Sequence, residues 1–258
     1  MLVQLQQYFF YNASFLEQWL LSVSYFLLLY FGLGWVFKFL LNAFEARNWI
    51  YKIDRRPVTR QQIYYEIRHS LYSIFIFGFS AWPILYYVRS GAITLAATNG
   101  FNFILSIIGL NLYNEIHFFV IHRIMHLPFF MKHVHRIHHR SLVPTLTSVY
   151  SFHPLEALLL SAVPLCLSWM VPLEPLAIMV YPVSSIVLNF SGHCNYRFWK
   201  MPGPKFFQLG TRHNEHHTRG KSILVLHHHS WITYIKEYYE QCLHYFYGCV
   251  FAWSAHCK

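Results

Sequence analysis

Charge is scarce in this sequence. Only 12% of its 258 residues are Asp, Glu, Lys or Arg, against about 25% in an ordinary soluble domain. With 55% hydrophobic and 20% aromatic residues, that shortage argues against a soluble globule and points to lipid. Cysteine is sparse too: Cys166, Cys194, Cys242, Cys249 and Cys257 are odd in number and form no CxxC pair, so no disulfide framework or thiolate metal site is legible. Neither a GxGxxG nor a Walker loop is present, which excludes a recognisable nucleotide site within the chain. The basic residues border apolar runs and belong to no reader motif, so nucleic acid is not an expected partner. A secretory leader is not legible either, and the first apolar run is expected to remain as an anchor.

What the sequence does have is long apolar runs. Residues 15–41, 71–88 and 101–121 are each long and apolar enough to approach or cross a hydrocarbon core of about 30 Å. A proline-broken stretch predicts a hairpin of two more spans, 155–171 and 174–190, with its turn at Val171 to Pro175. The expectation is an all-α bundle of four to five spans forming one domain over residues 1–258, with a histidine-rich metal-binding cap. Arg47, Lys52, Arg55, Arg56, Arg60 and Arg68 follow the first span, and dense Lys/Arg beside a span marks the cytoplasmic side. Counting spans from there sets the amino terminus outside and brings His122 back to the cytoplasmic face.

That face is where histidine gathers. Of 18 histidines, His122 and His126 spell HxxxH, while His135, His138 and His139, then His213, His216 and His217, each spell HxxHH. One HxxHH is expected by chance in only about a tenth of chains with this composition, and two together with HxxxH far more rarely. Residues three and four apart share a helix face, so each cluster aims its imidazoles at one point. Neutral imidazole suits iron, zinc, copper or nickel. Eight imidazoles exceed one tetrahedral zinc and imply two metals, of which redox iron is favoured because it needs open positions; spacing alone leaves zinc open.

Outlying residues extend the set. His193 can add a ninth ligand, with Asn189 four residues before it reaching a metal directly or through water, or serving as a polar helix end. Glu115, seven residues before His122, can orient a ligand imidazole through its second nitrogen or act as a buried hydrogen-bond partner. His153 opens the hairpin before Pro154 as a ligand-adjacent candidate. His117, inside the third span, is either functional or hydrogen-bonded to a neighbouring helix. His227, His228 and His229 are consecutive and cannot all face one metal; they read as interfacial, as His133 reads as structural.

In order, Glu115-Ile-His-Phe-Phe-Val-Ile-His122-Arg123-Ile-Met-His126, His135-Arg-Ile-His138-His139, Ser151-Phe-His153-Pro154-Leu155-Glu156, Asn189-Phe-Ser-Gly-His193 and Thr211-Arg-His213-Asn-Glu-His216-His217 resemble the fatty acid hydroxylase superfamily, on its sterol desaturase side. The likeness runs from about residue 63 to 221. It implies an integral-membrane, non-haem di-iron enzyme that uses O2 and external electrons to hydroxylate or desaturate a lipid. It also implies that His122, His126, His135, His138, His139, His193, His213, His216 and His217 are metal ligands. Two departures are visible: the family usually has Asp at the position of Glu115, and its closing NYGxxFxxWDRLxGT-like stretch is replaced by a run through Ser222 to Trp231.

A sterol or related lipid is the expected substrate, with fatty acyl, sphingolipid or carotenoid hydroxylation as alternatives and a membrane metal-binding protein or transporter as the non-enzymatic one. Lacking a nucleotide site, the chain should draw electrons from a partner such as cytochrome b5 or ferredoxin. Its formal charge of +10 would offer an acidic carrier a docking face. The bacterial inner membrane and the endoplasmic reticulum both suit such a chain.

Overall fold

A computed structural model describes residues 2–198 and 209–219. His227, His228, His229, Trp231, His244, His256, Cys242, Cys249 and Cys257 therefore lie outside the described residues. The chain starts with α1 (Leu2–Gln7), which runs into a π-helical turn, Tyr8–Asn12. Ser14 then caps α2 (Phe15–Leu27) in a reciprocal box with Glu17, satisfying donors that a helix start leaves orphaned. A π-helical stretch, Leu28–Leu33, joins α2 to α3 (Gly34–Ala46) as a single 32-residue rod.

Thr59 caps α4 (Arg60–Phe77), which is followed closely by α5 (Ala81–Arg89). Asn99 caps α6 (Gly100–Met125), whose Ile104, Ile108, Leu112, Ile116 and Val120 recur every fourth residue and are exposed. That stripe suits lipid, while the opposite face buries Leu110 and His122. Short helices α7 (Pro128–Phe130) and α8 (Arg136–His139) flank a π-helical turn, Met131–His135. After them come α9 (Pro154–Leu160), α10 (Val163–Ser168), α11 (Pro175–His193) and α12 (Leu209–Arg219).

Four helical segments, Phe15–Ala46, Arg60–Arg89, Gly100–Met125 and Pro175–His193, are long and apolar enough to cross a membrane. Over the expected span 155–171 the chain forms two short helices, broken at Ser161 and Ala162 with Pro164 in the first turn of the second, and leads to Leu173, whose carbonyl accepts from the Ala96 N–H (2.9 Å) just before α6 begins. Hydropathy registers the apolar run but not the break. The expected second span begins earlier, at Arg60, and kinks at Gly78 to Ser80 between α4 and α5.

The bundle is centred on α11, which packs against α6 along the span and against α12 at its carboxy-terminal end. Leu29, Ile74, Phe77, Ile186 and Phe190 fill the space between the first, second and last spans. At the carboxy-terminal end of α11 a small latch fixes the histidine-bearing elements. β1 (Tyr51–Lys52) pairs antiparallel with β2 (Tyr196–Arg197). Asn195, at φ 60°, accepts from the Asp54 backbone N–H (2.8 Å) and the Asn214 amide (2.9 Å), and donates to the Asp54 carbonyl (2.8 Å). Gly210 lets α12 come close: a β-carbon there would stand 2.9 Å from the Tyr196 carbonyl oxygen and 3.2 Å from that of Ser191.

Candidate metal centre

Five elements deliver histidines to this end of the bundle. His122 lies in the last turn of α6 and His126 caps it. His135 closes the π-helical turn, α8 carries His138 and His139, His193 ends α11, and α12 carries His213, His216 and His217. Their side chains sort into two groups, each with its ligand nitrogens within 4.8 Å of one another: His122, His126, His135 and His216, and His138, His193, His213 and His217. His139 stands between them, its Nε2 3.1 Å from that of His135 and its ring 4.6 Å from His216 and 4.8 Å from His217. All nine histidines singled out by spacing or resemblance thus converge.

The geometry is that of donors facing a shared cation. The Nε2 of His216 lies 3.1 Å from the Nε2 of both His122 and His126, and one N–H can satisfy only one of them. His213 and His217 bring their Nε2 atoms to 3.0 Å. With metal–nitrogen bonds of about 2.0–2.1 Å, tetrahedral neighbours would stand about 3.3–3.4 Å apart and right-angle neighbours about 2.8–3.0 Å. The observed spacings lie close to both ranges, so the two groups fit a metal ion each.

Electrostatics agree. Burial, then the neighbouring imidazoles, pushes His126 down to about 4 and His139 to about 2. His138 and His217 are held well below the usual histidine range, again chiefly by burial. At neutral pH these side chains are neutral donors, the form a metal requires.

Two histidines are oriented from behind. His135 Nδ1 bonds the Glu156 carboxylate at 2.8 Å in a buried pair, and His193 Nδ1 bonds the Ser148 hydroxyl at 2.7 Å. Such outer contacts fix the tautomer and turn Nε2 toward the metal. Glu156 sits in the first turn of α9 and Ser148 in a short 3-10 turn, Leu146–Ser148. Sequence reasoning assigned neither a role; Glu156 stood within a quoted motif, but Ser148 carried no signal.

The outlying candidates lie elsewhere. Glu115 is about 10 Å up the helix from His122 at 1.5 Å per residue and faces a cavity instead. Asn189 donates to the Ser185 carbonyl at 2.9 Å and lines the same cavity. His153 caps α9 by accepting from the Leu155 N–H. His117 bonds the Leu159 carbonyl at 2.9 Å, joining two helices, and His133 bonds the Phe129 carbonyl.

The cavity, about 470 Å³ and mainly apolar, runs among α2, α6 and α11. That volume falls within the range of small-molecule sites. Its walls reach the histidines: Phe118 stacks on the His122 ring at 5.1 Å, and Phe152 lies 5.0 Å from His138. One aromatic wall thus separates each histidine group from the space for an apolar ligand.

Residues 107–238 match the fatty acid hydroxylase family, just over half of the chain and all nine histidines. The chain belongs to that family. Among curated relatives, a Delta(7)-sterol 5(6)-desaturase of Gibberella zeae is 30% identical over 135 residues, covering 48% of this chain and 41% of the relative. A second Delta(7)-sterol 5(6)-desaturase, of Aspergillus fumigatus, is 29% identical over 122 residues, 44% of this chain and 38% of the relative. The human fatty acid hydroxylase domain-containing protein 2 is 28% identical over 119 residues, 45% and 34% respectively. The matched part spans about two fifths or less of these relatives. No solved structure matches the chain. In this family member the matched region carries α6 through α12, the elements that build the histidine centre.

Proposed function

We propose that this family member is a membrane-bound, non-haem oxidoreductase that uses two irons and O2 to hydroxylate or desaturate a lipid, with a sterol or related lipid as substrate. One observation carries the reading: two four-histidine groups share aromatic walls with a 470 Å³ apolar cavity between membrane-spanning helices. The sterol desaturase names of two relatives support the substrate class.

An unactivated C–H bond is beyond side-chain acids and bases, and bound iron supplies the O2-dependent oxidation that breaks it. The chain's own residues do the rest. His122, His126, His135, His139 and His216 would hold one ion, and His138, His193, His213 and His217 the other. Glu156 and Ser148 keep His135 and His193 turned inward. Phe118 and Phe152 exclude water and hold the lipid against the centre. Electrons would come from an acidic carrier, such as cytochrome b5 or ferredoxin, docking on the exposed Arg123, Lys132, Arg136 and Arg140 beside the histidines. The positive-inside pattern supports a cytoplasmic placement of this side.

Lipid profiling of cells expressing wild type or His138→Ala tests the reaction. A hydroxylated or desaturated sterol present with wild type and absent with the variant is expected. Identical sterol and acyl profiles in both would overturn the proposal.

A further inference from the structure

Among the described residues, the buried acids Glu66, Glu156 and Glu174 have protein partners. Glu66 takes hydrogen bonds from Gln62, Thr145 and Thr147. Glu156 holds His135, and Glu174 caps α11 through the Ala177 N–H. Glu115 differs in place: it lines the apolar cavity, and although Asn114 hydrogen-bonds its carboxyl, its Oε2, like that of Glu156, is buried without a hydrogen-bond partner. Several other polar side chains in the same wall are engaged. Tyr181 donates to Asn114 at 2.6 Å, Tyr8 to Glu17 at 3.0 Å, Ser80 to the Phe77 carbonyl at 2.7 Å, and Ser161 to the Leu158 carbonyl at 2.9 Å. An acid oxygen left unpaired in an apolar wall costs folding free energy, and a ligand that donates to it recovers that cost.

We propose that Glu115 is a specificity-determining residue whose carboxyl accepts a hydrogen bond from the hydroxyl of a lipid alcohol in the cavity. The terminal torsion of a carboxyl group is soft, so either oxygen turns readily to a donor. A hydrocarbon or a simple acyl ester offers no donor there, whereas an alcohol does. Seven residues of helix separate Glu115 from His122, which sets the anchored hydroxyl about 10 Å along α6 from the histidines. The oxidised carbon then lies within roughly that distance of the hydroxyl. This assignment rests on the lipid-oxidation reading of the site and narrows its substrate.

The test uses the purified full chain in mixed micelles containing equal amounts of cholesterol and 5α-cholestane, or of octadecanol and octadecane. After repurification the retained lipid and the iron are quantified together. Wild type should enrich at least one alcohol over its hydrocarbon by about 2- to 10-fold, the worth of a hydrogen bond. Glu115→Leu should abolish the enrichment, and the shape-conserving Glu115→Gln should lower it, both with iron content unchanged. Wild type favouring neither alcohol, or both variants keeping full enrichment, overturns the proposal; should Glu115→Leu lose its iron, Glu115→Gln alone decides. Two irons without alcohol enrichment sink the anchor and leave the oxidation reading standing. Enrichment without iron keeps the anchor and removes that reading.

Discussion

At the scale of single residues, Glu156 acts on the candidate metal centre only through His135. Its bond to His135 is buried on both sides, so Glu156→Gln removes the charge that turns His135 toward the first histidine group. Metal affinity of that group should fall about 10- to 100-fold, measured by chelator competition on the purified protein. His216→Ala and His138→Ala strike different groups, so each should leave about half the wild-type iron, and a variant losing all of it would show that the groups do not fill independently. The depressed histidines make acid a second probe. Their folded-state values, about 4 for His126 and about 2 for His139, lie below the unfolded value of about 6.5. The unfolded chain therefore takes up protons first, and stability present above pH 6.5 drains away as pH falls toward 4. Thermal melts of metal-free protein should show a Tm that is flat from pH 8 to 7 and declines below about 6.5.

Among elements, α12 carries three of the nine histidines and packs against the carboxy-terminal end of α11. Asn195 ties it through Asn214, and Gly210 lets it approach the carbonyls of Ser191 and Tyr196. Gly210→Ala forces a β-carbon against backbone that cannot give way, displacing His213, His216 and His217 together. Iron content should then drop to less than half, while far-ultraviolet circular dichroism stays near wild type. The histidines of α12 were legible in sequence because three- and four-residue spacing is helix geometry written into the chain. The partners that orient the centre were not, because Glu156 meets His135 across 21 residues and Ser148 meets His193 across 45. The break within the apolar run over 155–171 was not legible for another reason: hydropathy averages over a window, and a two-residue helix break with a following proline leaves that average unchanged. Glu115 shows the limit of face arguments, since sharing a helix face with His122 two turns away does not put the carboxyl within reach.

For the whole molecule, the spans and the histidine end form one arrangement, with lipid-facing stripes outside, a cavity between α2, α6 and α11, and the metal-binding groups where α6 and α11 end. The proposed orientation, with the histidine end cytoplasmic, has its own test. Cysteine introduced at Arg140 in a background lacking native cysteines should react with an impermeant maleimide only after cells are opened, and one introduced at Gly91, at the other end of α5, should react in intact cells. On the proposed reading the nine histidines hold two irons. Elemental analysis of the purified full chain, expressed with iron and zinc both in supply, is expected to find close to two irons per chain and little zinc; one zinc per chain, or no bound metal in folded protein, would contradict it.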